Sequence, residues 1–325
     1  MHKSYYDANS AHHASQRCGP PWADLFCLGR IVMAELKQAK TYEEQLSILK
    51  SRELIIEDDG FALNVLKRIS YYRLSGYLVE YKESEQAYKS GTSFQMIYDT
   101  YQFDARLRNI LLGILEAIEI SFRTKLTYHL AISFGPLGYR NSSNFRTKEK
   151  SIHEQMIERI DQEIKRSSEL FKTHYATKYD GKYPIWVASE MMSFATVSKL
   201  YSILPRANRN DISRDGYQID CSFLESWMRC LVQLRNACAH YSRLYNKQLV
   251  FAPKILDEHR SYVPDSNSLF AAIYVAAFLY EPAAEWDSFV TNLASLVERY
   301  ESVIDVSKMG FPRDWEERLR SLKDD

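Results

Sequence analysis

Glycine and proline are scarce in this 325-residue chain, at 11 and 9. That argues against collagen-like, linker-dominated or turn-rich all-β architectures. Cysteine is sparse and unpatterned. Cys18, Cys27, Cys221, Cys230 and Cys238 are odd in number, and no two are spaced C-x-x-C. Reduced thiols are therefore expected, rather than a disulfide framework or a zinc site. No apolar run reaches the ~18 residues of a bilayer-crossing helix. The strongest candidate, LFAAIYVAAFLY at 269–280, reads as a buried helix. The N-terminus lacks the apolar segment of a secretory leader, so the expectation is a cytoplasmic protein without a membrane partner. Neither sign of charge is in excess: 42 Lys and Arg balance 42 Asp and Glu. This excludes attraction of the whole surface to nucleic acid and leaves a local basic face open. Phosphate-binding loops, dinucleotide-binding glycine motifs, H-E-x-x-H and G-x-S-x-G are all missing. No metal and no cofactor are expected.

What is present reads as helix nearly throughout. Hydrophobic residues make up 46% and charged residues 26%, ordinary for a folded globular protein. Residues 1–32 stand apart: they are rich in Ser, His and Ala, are broken by Gly19-Pro20-Pro21, and show no helical period. They are expected to be a disordered or non-native extension, with Met33 the natural start and 33–325 the helical domain. Thr41 with Glu44 three residues on is a capping-box pattern. Residues 61–82 repeat apolar side chains at helical spacing. From Ser93 to Phe134, Phe94, Ile97, Tyr101, Leu107, Leu111, Ile114, Ile118, Phe122 and Leu126 form one sustained stripe, which predicts a long bundle helix closed by Gly135-Pro136. Further helices are expected at 151–175, 185–204, about 220–241, 268–280 and 284–304. A polar connector is expected at 206–216, and a short extended piece at 249–251. Strand-like alternation is almost absent, so the fold class is all-α, a multi-helix bundle with long central helices.

One constellation offers chemistry. LRNACAHYSRLYN places Arg235, Asn236 and His240 on a single helix. Asn236 and His240 lie one turn apart, and Arg235 lies roughly 140° round the axis from His240. A histidine with an ordinary pKa near ~6.5 can take the proton of a ribose 2′-hydroxyl or protonate a leaving 5′-oxygen. An arginine grips the phosphate and its growing charge, and an asparagine can orient either group. RNA is the natural substrate, because its own 2′-hydroxyl is the nucleophile. One histidine is a weak device for both proton transfers, and two copies facing each other across a dimer would supply the missing groups. Arg140, Arg146, Lys148 and Lys150, together with Arg206 and Arg209, would provide a rim for the RNA backbone. Other polar groups read as structural. Arg123 is expected to pair with Glu116 or Glu119 rather than act with His129, and Asp104 and Arg108 form an i,i+4 ion pair. Tyr71, Tyr72 and Arg73 are expected to pack, with base stacking the less favoured role.

Six stretches together resemble a known family: 41–49 (TYEEQLSIL), 69–81 (ISYYRLSGYLVEY), 101–108 (YQFDARLR), 118–128 (IEISFRTKLTY), 184–200 (PIWVASEMMSFATVSKL) and 234–246 (LRNACAHYSRLYN). In this order they are similar to the Abi-like proteins of bacterial abortive infection systems, within the HEPN superfamily. The resemblance implies an all-helical bundle acting in phage defence. It implies a metal-independent ribonuclease site at Arg235, Asn236 and His240, working as a homodimer. It also implies a second role, binding a small structured RNA without cutting it. Apart from the resemblance, a third reading makes Arg235 and His240 structural polar groups in the helix interface of a protein-interaction component, and an antitoxin is a candidate partner.

Overall fold

The computed structural model describes residues 36, 38–84, 86–146, 150–281 and 283–323. The chain divides into two units, Met1–Thr41 and Tyr42–Asp325. Nearly all of the first, including the expected start at Met33, lies outside the described residues, and the few described there form no helix.

Thirteen α-helices are found among the described residues: α1 (Tyr42–Ser51), α2 (Asp59–Arg68), α3 (Tyr71–Leu78), α4 (Phe94–Phe134), α5 (Lys150–Arg166), α6 (Leu170–Lys178), α7 (Ile185–Ala188), α8 (Phe194–Ser202), α9 (Arg206–Tyr217), α10 (Cys221–Ala239), α11 (Leu269–Leu279), α12 (Ala283–Arg299) and α13 (Trp315–Arg320). Only two isolated bridges, Ile55 with Ser93 and Lys82 with Tyr88, represent β pairing among these residues. The fold is all-α, as the periodicity predicts.

The organising element is α4. Its 41 residues span about 60 Å at 1.5 Å each. Ser93 opens it by accepting the Met96 N–H at 3.2 Å, and Gly135 closes it at a φ of 77°, a conformation glycine adopts without strain. Phe94 and Ile97 at its start pack with α1, α2 and α3 in a small cluster around Leu49, Val65 and Leu74. From Phe103 onward the same helix forms the spine of the main core with Trp227 of α10 and Trp286 of α12. Every residue of α11 except Phe278 is buried, as the run at 269–280 predicts.

Five expectations are revised, three of them with a local cause. The stretch 61–82 is two helices, because Ile69 turns extended and Ser70 caps α3 by accepting the Arg73 N–H. Residues 151–175 break at 167–169, between α5 and α6. The 185–204 helix splits because Ser193 caps α8, accepting the Thr196 N–H. Residues 206–216 form α9 rather than a connector. Its buried face is Arg209, Ile212, Ser213 and Tyr217, and two polar members of four conceal the apolar period. The 249–251 segment has no strand pairing; it is part of a strap laid along α10.

Candidate functional site

The R-N-x-x-x-H helix is α10, packed against α4, α8, α9 and α11. Asp220 caps its start, accepting the Ser222 N–H at 2.8 Å. That contact, with the neighbouring guanidinium groups of Arg206 and Arg214, holds the Asp220 carboxyl below its ordinary pKa. His240 ends the helix: its N–H reaches the Asn236 carbonyl at 2.9 Å, and its side chain is exposed. The next residue, Tyr241, takes a left-handed φ of 58° and is 66% exposed. Its N–H and that of Ser242 close the turn onto Cys238 and Ala237.

A buried polar node clamps this turn. Asp104 of α4 has no measurable exposure, and its carboxylate accepts four kinds of donor. These are the Tyr77 hydroxyl at 2.6 Å, the Arg108 guanidinium, the Tyr245 N–H at 2.8 Å and the Leu244 N–H at 3.1 Å. Loss of hydration in the core raises the Asp104 carboxyl above its ordinary pKa, against the pull of those donors. Burial, and after it the Asp104 charge, raises the Tyr77 phenol. Arg108 also donates to the Ser242 carbonyl at 3.2 Å, and Arg73 donates to that of Tyr241 at 2.7 Å. In return, Arg243 donates to the Gly76 carbonyl of α3 at 2.6 Å. The expected ion pair of Asp104 with Arg108 is thus real, and it serves the loop that follows His240.

Arg235 leans the other way, onto α4, with its Nε 3.2 Å from Glu119. The same carboxylate accepts Arg123 at 2.7 Å, the pairing expected for that residue. Arg235 keeps 35% side-chain exposure and touches the Asn236 carboxamide at 3.4 Å. The structure therefore brings Arg235 and Asn236 together, and sets His240 one turn on from Asn236 at the helix end. Among the described residues, no hydrogen bond or ion pair joins Arg235 to His240.

The expected basic rim is largely engaged within the fold. Arg140 pairs with Asp161 and lies over the Tyr139 ring. Arg146 donates to the Ser202 carbonyl at 2.8 Å, which brings the 140–146 segment to the junction of α8 and α9. Arg206 is exposed, 3.7 Å from Asp220. Arg209 is 8% exposed and paired with Glu225, so it joins α9 to α10 and does not face solvent as a rim residue must. Lys148 lies outside the described residues, and Lys150 opens α5. Tyr72, expected to pack, is 88% exposed.

A sequence model of the family described as Abi-like protein matches residues 64–246, more than half of the chain. The chain belongs to the Abi-like family. No curated protein and no solved structure matches it. The matched segment of this Abi-like protein runs from within α2 to the loop after α10, so it holds the Asp104 node and the R-N-x-x-x-H helix together. The family assignment ties the chain to abortive infection. Among the described residues, no helix is long and apolar enough to cross a membrane.

A stronger charge signal than the expected rim is also present. Between Glu225 and Asp257 the chain holds no acidic residue, while Arg229, Arg235, Arg243, Lys247 and Lys254 all fall inside that window. The order of residues alone carries this signal, which the expectation of a rim at 140–150 and 206–209 missed. In a chain of zero net charge, such a window concentrates positive potential on whatever surface it forms.

Proposed function

We propose that this Abi-like chain acts in abortive infection on RNA, at the C-terminal end of α10, through the HEPN-type pattern Arg235, Asn236 and His240. The exposed imidazole of His240 takes the proton of a ribose 2′-hydroxyl. The freed oxygen attacks the adjacent phosphorus, the bond to the 5′-oxygen breaks, and that oxygen leaves with a proton. The products carry a 2′,3′-cyclic phosphate and a 5′-hydroxyl. Asn236 orients the phosphate or the ring. Arg235 stabilises the growing charge on the phosphoryl oxygens once it exchanges Glu119 for phosphate. A homodimer supplies the second imidazole for the leaving group.

One observation carries this reading: His240 is exposed one turn from an accessible Arg235–Asn236 pair, inside the acid-free window. The test is expression of wild type and His240→Ala, with sequencing of cellular RNA ends. Wild type arrests growth and leaves cyclic phosphate ends, whereas His240→Ala does neither and keeps the wild-type melting temperature. Equal toxicity of the two proteins would exclude catalysis at this position.

A second reading draws on Glu119, which already neutralises Arg235 at 3.2 Å. In it, the chain holds a small structured RNA and cuts nothing. Purified protein then carries intact RNA, released steeply as salt rises.

A further inference from the structure

Beyond the helix end, α10 is flanked by a strap, residues 247–256, that has no regular secondary structure. Three hydrogen bonds lay it along the helix in the opposite direction. The Phe251 N–H donates to the Gln233 side-chain oxygen at 3.2 Å, the Lys254 N–H to the Ser226 hydroxyl at 2.9 Å, and the Trp227 indole N–H to the Lys254 carbonyl at 2.6 Å. Three clefts follow one another between helix and strap. The first, of about 60 Å³, lies against Ala237 and Arg243 beside the His240 turn. The second, of about 440 Å³, shares Val250 with the first and lies over Arg229 and Phe251. The third, of about 580 Å³, shares Lys254 with the second. On the helix side, Ser222, Ser226, Arg229, Gln233 and Ala237 line the first two clefts at three- and four-residue steps, with Glu225 and Leu234 at their edges, and only Phe223 of α10 reaches the third. The five stepped residues make one face of α10, and His240 continues the series.

We propose that this groove is a track for single-stranded RNA that leads to His240. This rests on the RNA reading above and adds the path of the strand and the residues that hold it. The charge fits a polyanion. Lys247 and Lys254 are exposed and form no ion pair among the described residues. The two acids that line the clefts are already paired, Glu225 with Arg209 and Asp257 with Arg260. The stacking chemistry fits unpaired bases. The Arg229 guanidinium lies 3.8 Å above the Phe251 ring, and its outer face is a flat cationic platform for a nucleobase. The length fits a short single strand, since the seven residue steps of extended strap from Lys247 to Lys254 span at most about 25 Å.

The test uses a fluorescent 12-nucleotide 2′-O-methyl RNA. It has no free 2′-hydroxyl, so binding to the intact chain is read without turnover. Lys247→Gln/Lys254→Gln is expected to lower the slope of log affinity against log salt by about 1.4, from about 0.7 for each phosphate left without its lysine. Arg229→Lys keeps the charge and loses the platform, so it weakens binding with an unchanged slope. A charge-matched control on α5 and α6, Lys165→Gln/Lys178→Gln, leaves the affinity alone. A wild-type slope in the Lys247→Gln/Lys254→Gln protein overturns the track, as does a weakening no greater than that of the control. Displacement by polyglutamate but not by unlabelled RNA overturns it in favour of an acidic protein partner. The two proposals fail separately. Normal binding by the groove variants with cleavage abolished in His240→Ala removes the track and keeps the site. Abolished binding in the groove variants with wild-type toxicity of His240→Ala keeps the track and removes the cleavage.

Discussion

Replacing Asp104 by Ala strands a cation and three donors in the core at once. Arg108 has 4% side-chain exposure and no other carboxylate within reach of an ion pair among the described residues. Removing one partner of a buried pair costs about 3–5 kcal/mol. The Leu244 and Tyr245 N–H groups and the Tyr77 hydroxyl then lose their acceptor, at about 1–3 kcal/mol for each that stays dry. These terms share one cavity and do not add fully, so at least about 4 kcal/mol is expected. That is a large share of the roughly 5–15 kcal/mol that holds a domain together. Asp104→Asn keeps the shape and one acceptor oxygen, and costs about 2 kcal/mol for the missing charge. Adding Arg108→Met to Asp104→Ala removes the stranded cation but not the orphaned backbone groups. About 2 kcal/mol of destabilisation should therefore remain. Urea unfolding of the four proteins measures the series. Hydrogen exchange at Leu244 and Tyr245 shows whether the turn after His240 loosens first. A cost below about 1 kcal/mol for Asp104→Ala would refute the reasoning, and so would full recovery in the double variant.

Two further outcomes follow from the same helix. Asp220→Ala removes the cap of α10 and should cost about 1 kcal/mol at neutral pH, read as a lower melting temperature. The folded-state pKa of Asp220 is depressed, so its contribution is complete above the unfolded-state carboxylate range and fades as the pH falls through the folded value. The gap between variant and wild type should close in acid, and a gap that persists there would count against the cap. Burial pushes the Cys230 and Cys238 thiols up to about 12. Both should resist iodoacetamide in the native protein and react after denaturation, as mapped by mass spectrometry, and native labelling of either would show that α10 opens.

The helices with a clean apolar period were readable in advance. For α4, the stripe from Phe94 to Leu126 and the punctuation at Ser93 and Gly135 locate the element to within a residue. Elements went unseen where a polar side chain took an inward position. Arg209 and Ser213 hide α9 in this way, and Ser70 and Ser193 divide helices that the apolar pattern runs together. For the site, the spacing places Arg235 and Asn236 on α10 and His240 at its C-cap, one residue past the helix, and the local pairing of Asp104 with Arg108 is also visible at i,i+4. Nothing local tells that Asp104 accepts N–H groups from residues 140 and 141 positions away, or that Glu119 holds Arg235.

Periodicity and capping depend on neighbours within a few residues, so the amino-acid order alone specifies an all-helical chain, its central helix and a family. Hydrogen bonds across the core depend on how helices dock. Docking alone set the partner of Arg235, the clamp beyond His240, and the strap whose lysines lie beside α10.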